Sequence, residues 1–147
     1  MLIGILLFVH IAMILAILPN IEYLFYYLEL IIYLLTNIAY LYTALANPGI
    51  CIESASNYYF KSEDLLTCPT CNIKVSKESK TTHCIYCNIC IEEVDHHCPW
   101  TGKCIAKHNL YSFYAFVVFV FTYLMFSIIC GCMFIINVLE NNLNHRK

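Results

Sequence analysis

From Tyr111 to Leu139 the chain carries no acidic or basic side chain, and the run exceeds the roughly 20 residues that a helix needs to cross a hydrocarbon core. In lipid each backbone N–H and C=O must be satisfied within its own segment, so such a run is committed to helix. Two similar runs precede it. Met1 to Leu18 has no acid, lysine or arginine, and Ile21 to Ala46 is interrupted only by Glu22 and Glu29. These runs explain why 61% of the 147 residues are hydrophobic and only 12% charged, a balance far from that of soluble domains. The expected fold is an α-helical integral membrane protein with three transmembrane helices.

The first two runs are separated by Pro19-Asn20, a turn-prone pair, which predicts a helical hairpin over residues 1–46. A cleaved secretory signal is the competing reading of the N-terminus. It calls for a basic leading region and a small-x-small cleavage site, and the sequence supplies neither convincingly. His10 and Glu29 lie inside the spans, where ionisable groups are costly unless partnered. Asn47-Pro48-Gly49 ends the second run with a helix breaker and a residue free to take positive φ. Residues 47–67 read as a juxtamembrane linker, with Cys51 an inert or acylatable thiol at the interface.

The net charge of −2 excludes a broadly basic nucleic-acid binder, and the distribution of cations is more informative. Lys61, Lys74, Lys77, Lys80, Lys103 and Lys107 all lie between the second and third runs, leaving only Arg146 and Lys147 elsewhere. By the positive-inside tendency that segment faces the cytosol. Its thiols are then reduced, which favours metal binding or catalysis over disulfides.

That segment holds a cysteine-rich module over residues 68–110, followed by the third helix over 111–139 and a short polar tail over 140–147. Cys68-x-x-Cys71 and Cys84-x-x-Cys87, with Cys90 repeating the step and His83 adjoining, have the spacing of tetrahedral zinc sites. A redox Cys-x-x-Cys would need a strand-helix context that is missing. Two zinc ions require eight ligands, and the module offers seven cysteines plus His83, His96, His97 and His108. Adjacent side chains of an extended backbone point to opposite sides, so His83 and Cys84 serve different metals and the two sites interleave. The same alternation separates His96, His97 and Cys98 within Asp95-His96-His97-Cys98-Pro99-Trp100. If Cys98 is spared from metal, Asp95, His96 and Cys98 form a nucleophile, a base and an orienting carboxylate. If not, Cys98 is a redundant ligand and Asp95 a surface acid, and spacing alone weighs these equally.

These residues resemble the DHHC family of zinc-dependent protein S-acyltransferases, or palmitoyltransferases. The likeness runs from Cys68 to Phe113, through Cys68-x2-Cys71, His83-Cys84-x2-Cys87-x2-Cys90, Asp95-His96-His97-Cys98, Cys104, Asn109 and Phe113. The resemblance implies that Cys98 takes the acyl group from a fatty acyl-coenzyme A and passes it to cysteines of membrane-associated substrate proteins. His96 would be the general base, oriented by Asp95. One structural zinc would take Cys68, Cys71, His83 and Cys90, and the other Cys84, Cys87, His97 and Cys104. Lys103, Lys107 and His108 are placed to meet coenzyme A phosphates or anionic headgroups.

The sequence departs from the family at Asn47, where aspartate is usual, in a longer gap to Lys77, at Glu78 and at Lys103. A fourth helix and a Thr-Thr-x-Glu element have no counterpart. A non-catalytic scaffold of the same family is therefore the rival reading. A RING-type ubiquitin ligase would use interleaved zinc sites without needing Asp95 or a spare cysteine, and nucleic acid is not an expected partner.

Overall fold

In the computed structural model the two longer apolar runs are single helices. The structure describes residues 2–17, 22–52, 65–76 and 79–145. The turn expected at Pro19-Asn20 and the charges of Lys61, Lys77, Glu78, Arg146 and Lys147 lie outside them. The chain divides into two units, Met1–Ala39 with Ala115–Lys147 and Tyr40–Tyr114.

The first unit is helical. α1 (Leu2–Ala12) passes into a π-helical stretch (Met13–Ile17), α2 runs from Tyr23 to Leu45, and α3 from Leu110 to Asn144. Among the described residues α2 and α3 are long and apolar enough to cross a membrane, whereas Ile3–Ile17 is a shorter apolar helix. The first expected span is thus not one long α-helix: the hydrogen bonding loosens after Ala12 to the wider π pattern. α3 also outruns its expected end at Leu139, since Glu140 to Asn144 continue the helix and the Asn141 side chain donates to Asn137 at 3.1 Å.

The polar groups in this unit are gathered together. Glu29 is fully buried, and its Oε1 lies 2.8 Å from His10 Nδ1 while accepting from the Tyr123 hydroxyl at 3.1 Å. His10 stacks flat on Tyr33, with centroids 3.7 Å apart. Thr36 donates to Ile32 O within its own helix at 2.8 Å and reaches Phe119 O of α3 at 3.3 Å. Three segments of the chain therefore meet around one carboxylate, the arrangement expected where unpaired polar groups face hydrocarbon.

The second unit is built from three two-stranded antiparallel hairpins: β1 (Leu65–Thr67) with β2 (Lys74–Ser76), β3 (Thr81–Cys84) with β4 (Ile89–Glu92), and β5 (Val94–Cys98) with β6 (Lys103–Ala106). The supposed linker 47–67 is tied at both ends. Asn47 Oδ1 accepts the N–H groups of Gly49 and Ile50, at 2.9 and 3.0 Å. The chain then runs beside β4, where Glu92 N donates to Gly49 O and Cys51 N to Cys90 O, each at 3.0 Å. Gly49 holds φ 110°, a conformation closed to ordinary residues, and a Cβ there would lie 3.5 Å from His108 Nδ1. The hairpins' apolar core is Cys84, Ile91, Cys104 and Ala106. Among the described residues this core is small for three two-stranded hairpins, which are marginal by themselves.

Candidate metal and thiol site

Each cysteine pair begins in the same local turn. Cys68-Pro69-Thr70-Cys71 and Cys84-Ile85-Tyr86-Cys87 both end at an asparagine in the left-handed region, Asn72 at φ 56° and Asn88 at φ 54°. Asparagine is among the few side-chain-bearing residues that adopt this conformation readily. The fold of each turn brings the second cysteine's N–H onto the first sulfur, Cys71 N to Cys68 and Cys87 N to Cys84, both at 3.5 Å.

The other half of each cluster comes from strand register. His83 stands opposite Cys90 across β3 and β4, and His97 opposite Cys104 across β5 and β6. Directly opposed residues project to the same face with their Cβ atoms about 5 Å apart. Each cluster is therefore one turn plus one cross-strand pair. Pleat alternation sends His83 to one cluster and Cys84 to the other.

Ligand atoms of Cys68, Cys71, His83 and Cys90 lie within 4.8 Å of one another, as do those of Cys84, Cys87, His97 and Cys104. His83 Nδ1 is 3.7, 3.2 and 3.8 Å from the sulfurs of Cys68, Cys71 and Cys90. His97 Nδ1 is 3.7, 3.3 and 3.7 Å from those of Cys84, Cys87 and Cys104, and Cys87 and Cys104 are 3.6 Å apart. A tetrahedron with metal–sulfur bonds of about 2.3 Å and metal–nitrogen bonds of about 2.0 Å has edges of roughly 3.5–3.8 Å, so both donor sets fit such an ion.

Electrostatics point the same way. The Cys71 N–H, set against partial burial, pulls the Cys68 thiol below its usual value. Burial opposes ionisation of Cys84, but the N–H groups of Cys87 and Tyr86 and its neighbouring thiols pull it down. Burial, and then the Cys68 and Cys71 sulfurs, push Cys90 up to about 12. Burial and then Cys84 and Cys87 likewise push Cys104 up. Without a cation neither cluster can hold its sulfurs as thiolates together, and a divalent ion removes that conflict.

Cys98 belongs to neither cluster. It ends β5 with only 2% of its surface exposed. A register shift between Val94 and His96 leaves Asp95 unpaired in the ladder, a β-bulge that lets its carboxylate turn back onto the next residue. Asp95 Oδ2 lies 2.8 Å from His96 Nδ1, and the His96 ring meets Phe113 edge-on with centroids 5.1 Å apart. Asp95, against burial and with help from Cys98, raises the His96 pKa. Burial pushes the Cys98 thiol up, but the Thr101 hydroxyl and N–H, His96 and the Trp100 N–H outweigh it and lower its pKa. Thr101 is the contributor that sequence reasoning missed, since only its place in the turn after Cys98 marks it.

Two of the three expected phosphate contacts, Lys103 and Lys107, have other partners. Lys103 Nζ donates to Ala44 O at 3.0 Å and to Ala46 O. Lys107 pairs with Glu93 at 2.9 Å, beside a cavity of about 540 Å³ whose lining includes Lys80, Thr82, Asp95 and Tyr111. Asn109 is buried and holds β6 to the start of α3: it donates to Cys104 O at 3.1 Å, accepts from Ala106 N at 2.8 Å, and its carbonyl takes Phe113 N at 3.0 Å.

Comparison with known proteins covers this site. The family model described as DHHC palmitoyltransferase matches residues 61–146. Palmitoyltransferase ZDHHC18-A of Danio rerio is 44% identical over 66 residues, 45% of this chain and 13% of that protein. Palmitoyltransferase ZDHHC18 of Homo sapiens is 46% identical over 50 residues, 34% of this chain and 12% of that protein. Palmitoyltransferase ZDHHC14 of Mus musculus is 38% identical over 69 residues, 42% and 14% of the two chains. The chain thus spans only about an eighth of the length of these relatives. On the match across residues 61–146, this chain belongs to the DHHC palmitoyltransferase family.

Proposed function

We propose that the chain is a protein S-acyltransferase carrying the acyl group on Cys98. One observation carries this: of two adjacent histidines, His97 lies among three cysteine sulfurs while His96 is bonded to Asp95, and Cys98 is left out of both metal-ligand sets. The naming of its relatives as palmitoyltransferases supports the same reading.

The reaction follows from these side chains. Asp95 holds the proton on His96 Nδ1, leaving Nε2 to accept the Cys98 thiol proton. The Cys98 sulfur attacks the carbonyl carbon of a fatty acyl-coenzyme A thioester. The carbon–sulfur bond to coenzyme A breaks, and the departing thiolate takes the proton back from His96. A substrate cysteine then gives its proton to His96 and attacks the acyl-enzyme, which releases Cys98 as the thiolate. Two zinc ions in the Cys/His clusters would cross-link the hairpins, and with all four positions filled by protein they offer substrate no open site. Lys80, beside the cavity that reaches Asp95, is suited to the coenzyme A phosphates, and Lys107 would join it by leaving Glu93. Three membrane helices with the module facing the cytosol would give the apolar acyl tail a bilayer and its anionic head water.

The test is to incubate purified protein in detergent with labelled palmitoyl-coenzyme A. A hydroxylamine-sensitive label is expected on wild type and none on Cys98→Ser. Label that persists in Cys98→Ser overturns the assignment, and full metal content without any label identifies a scaffold.

A further inference from the structure

Cys98 and Lys103 are direct partners across the β5–β6 hairpin, closing the loop Pro99–Gly102. Gly102 takes φ 67° in that loop, and its N–H returns to Cys98 O at 3.0 Å. Because opposed residues share a face, the Lys103 stem leaves the hairpin on the side from which the Cys98 thiol projects. Its ammonium ends on Ala44 O and Ala46 O, at the C-terminus of α2, where the last carbonyls of a helix have no partners within it. We infer that Lys103 is a positioning residue: by capping α2 it fixes the nucleophile's hairpin at a set place and angle against the end of that helix.

The inference rests, for its catalytic consequence, on the acyltransferase reading. A cation on the last carbonyls of a helix is favourable, and a lysine stem can bridge from a strand to a helix end where a shorter polar side chain at the same position does not reach. The nucleophile's strand is then held by two unlike devices. One is the Cys84/Cys87/His97/Cys104 cluster beside it, and the other is the Lys103 strut across from Cys98 itself. Losing the strut leaves the metal ligands intact and frees the thiol's placement. A reaction that needs its groups aligned to about 1 Å loses up to about 100-fold from such a slip.

Lys103→Met keeps the stem and removes the donors, while Lys103→Arg restores donors to the helix end. Lys103→Met is expected to keep wild-type metal content and wild-type alkylation of Cys98 by iodoacetamide. Its maximal rate of acylation by palmitoyl-coenzyme A should fall roughly 10- to 100-fold with the half-saturating concentration unchanged, and Lys103→Arg should recover most of it. An unchanged acylation rate in Lys103→Met overturns the inference. So does a raised half-saturating concentration at an unchanged maximal rate, which would make Lys103 a coenzyme A contact. So does a parallel loss of alkylation.

A second measurement does not depend on turnover. Spin labels on non-natural residues at the exposed positions Tyr42 and Ile85 report the distance between the end of α2 and the second cysteine turn. That distance is expected to be narrowly distributed in wild type and Lys103→Arg and broadened in Lys103→Met. Equal widths in all three overturn the strut. A wild type that never acylates, with the broadening still present, overturns the acyltransferase reading and leaves the strut standing.

Discussion

His97 stands directly opposite Cys104 across the β5–β6 hairpin, with its Nδ1 3.7 Å from the Cys104 sulfur. Cross-strand pairing therefore supplies half of a candidate metal site, and His83 with Cys90 repeats the device in the neighbouring hairpin. His97→Ala and His83→Ala should each lower bound zinc from two ions per chain to one, read by elemental analysis of purified protein. Because Cys84 and Cys104 are also half of the module's buried core, full chelation should melt residues 40–114. Structural zinc contributes on the order of 10 kcal/mol to such modules. Loss of near-ultraviolet ellipticity on adding chelator checks this, and undiminished zinc in His97→Ala contradicts the assignment.

His96 bonds to Asp95 and belongs to neither Cys/His cluster. His96→Ala should retain both zinc ions and slow acyl-enzyme formation by roughly 10²- to 10⁴-fold, the usual worth of a general base. Asp95→Asn should slow it less, because the imidazole remains in place with its tautomer no longer held. Single-turnover labelling with palmitoyl-coenzyme A separates the two. Equal rates in His96→Ala and wild type would remove His96 from the mechanism.

Burial resists ionisation of Cys98, but the Thr101 hydroxyl and N–H, His96 and the Trp100 N–H bring its pKa below the ordinary 9.0. The thiolate is the reactive form, so alkylation should rise with pH and level off through a midpoint below 9.0. Thr101→Val removes the largest favourable contribution and should move the midpoint upward. His96→Ala should move it the same way. A pH series with iodoacetamide, following Cys98 by peptide mass, measures each midpoint, and a downward move in Thr101→Val would refute the account.

Glu29 Oε1 accepts from Tyr123 and meets His10, while Oε2 has no hydrogen-bond partner among the described residues. Glu29→Gln keeps an oxygen for both neighbours and should cost little. Glu29→Leu strands both, at a cost on the order of 1–3 kcal/mol, whereas Tyr123→Phe should cost only about 0.6 kcal/mol, the common value for hydrogen bonds between membrane helices. Thermal unfolding in detergent ranks the three. Gln destabilising as much as Leu would show that the negative charge, not the acceptor oxygen, holds the helices.

The two longer helices and the cysteine turns were legible because their signals are local, whereas the choice of eight residues among the eleven candidates came from the family resemblance. A long run without charge can only be helix in lipid, and Cys-x-x-Cys spacing fixes a turn. The separation of His83 from Cys84 and of His96 from His97 was legible for the same reason, since pleat alternation needs no tertiary information. What depended on register was hidden. Nothing in Lys103 itself says that its ammonium reaches the end of α2, because that contact joins positions 57 and 59 residues apart. Residues 49–51 gave no strand signal, since their pairing with β4 follows from the Asn47 turn and the left-handed Gly49. The π-helical stretch at Met13–Ile17 was equally silent, because its residues are as apolar as the α-helix before it.

The overlap of the two ligand sets along the chain has a consequence for synthesis. A nascent chain presents Cys68, Cys71, His83, Cys84 and Cys87 before Cys90 arrives to complete the first set. The first four ligands to emerge, Cys68, Cys71, His83 and Cys84, therefore mix the two sets, and a thiophilic ion held by them would sit in the wrong site. What forbids that product in the finished protein is closure of β3 on β4, which places His83 beside Cys90 and turns Cys84 to the other side. Hairpin closure would thus do the sorting between the two sets, and a copy whose β3–β4 hairpin has not yet closed would be open to misloading.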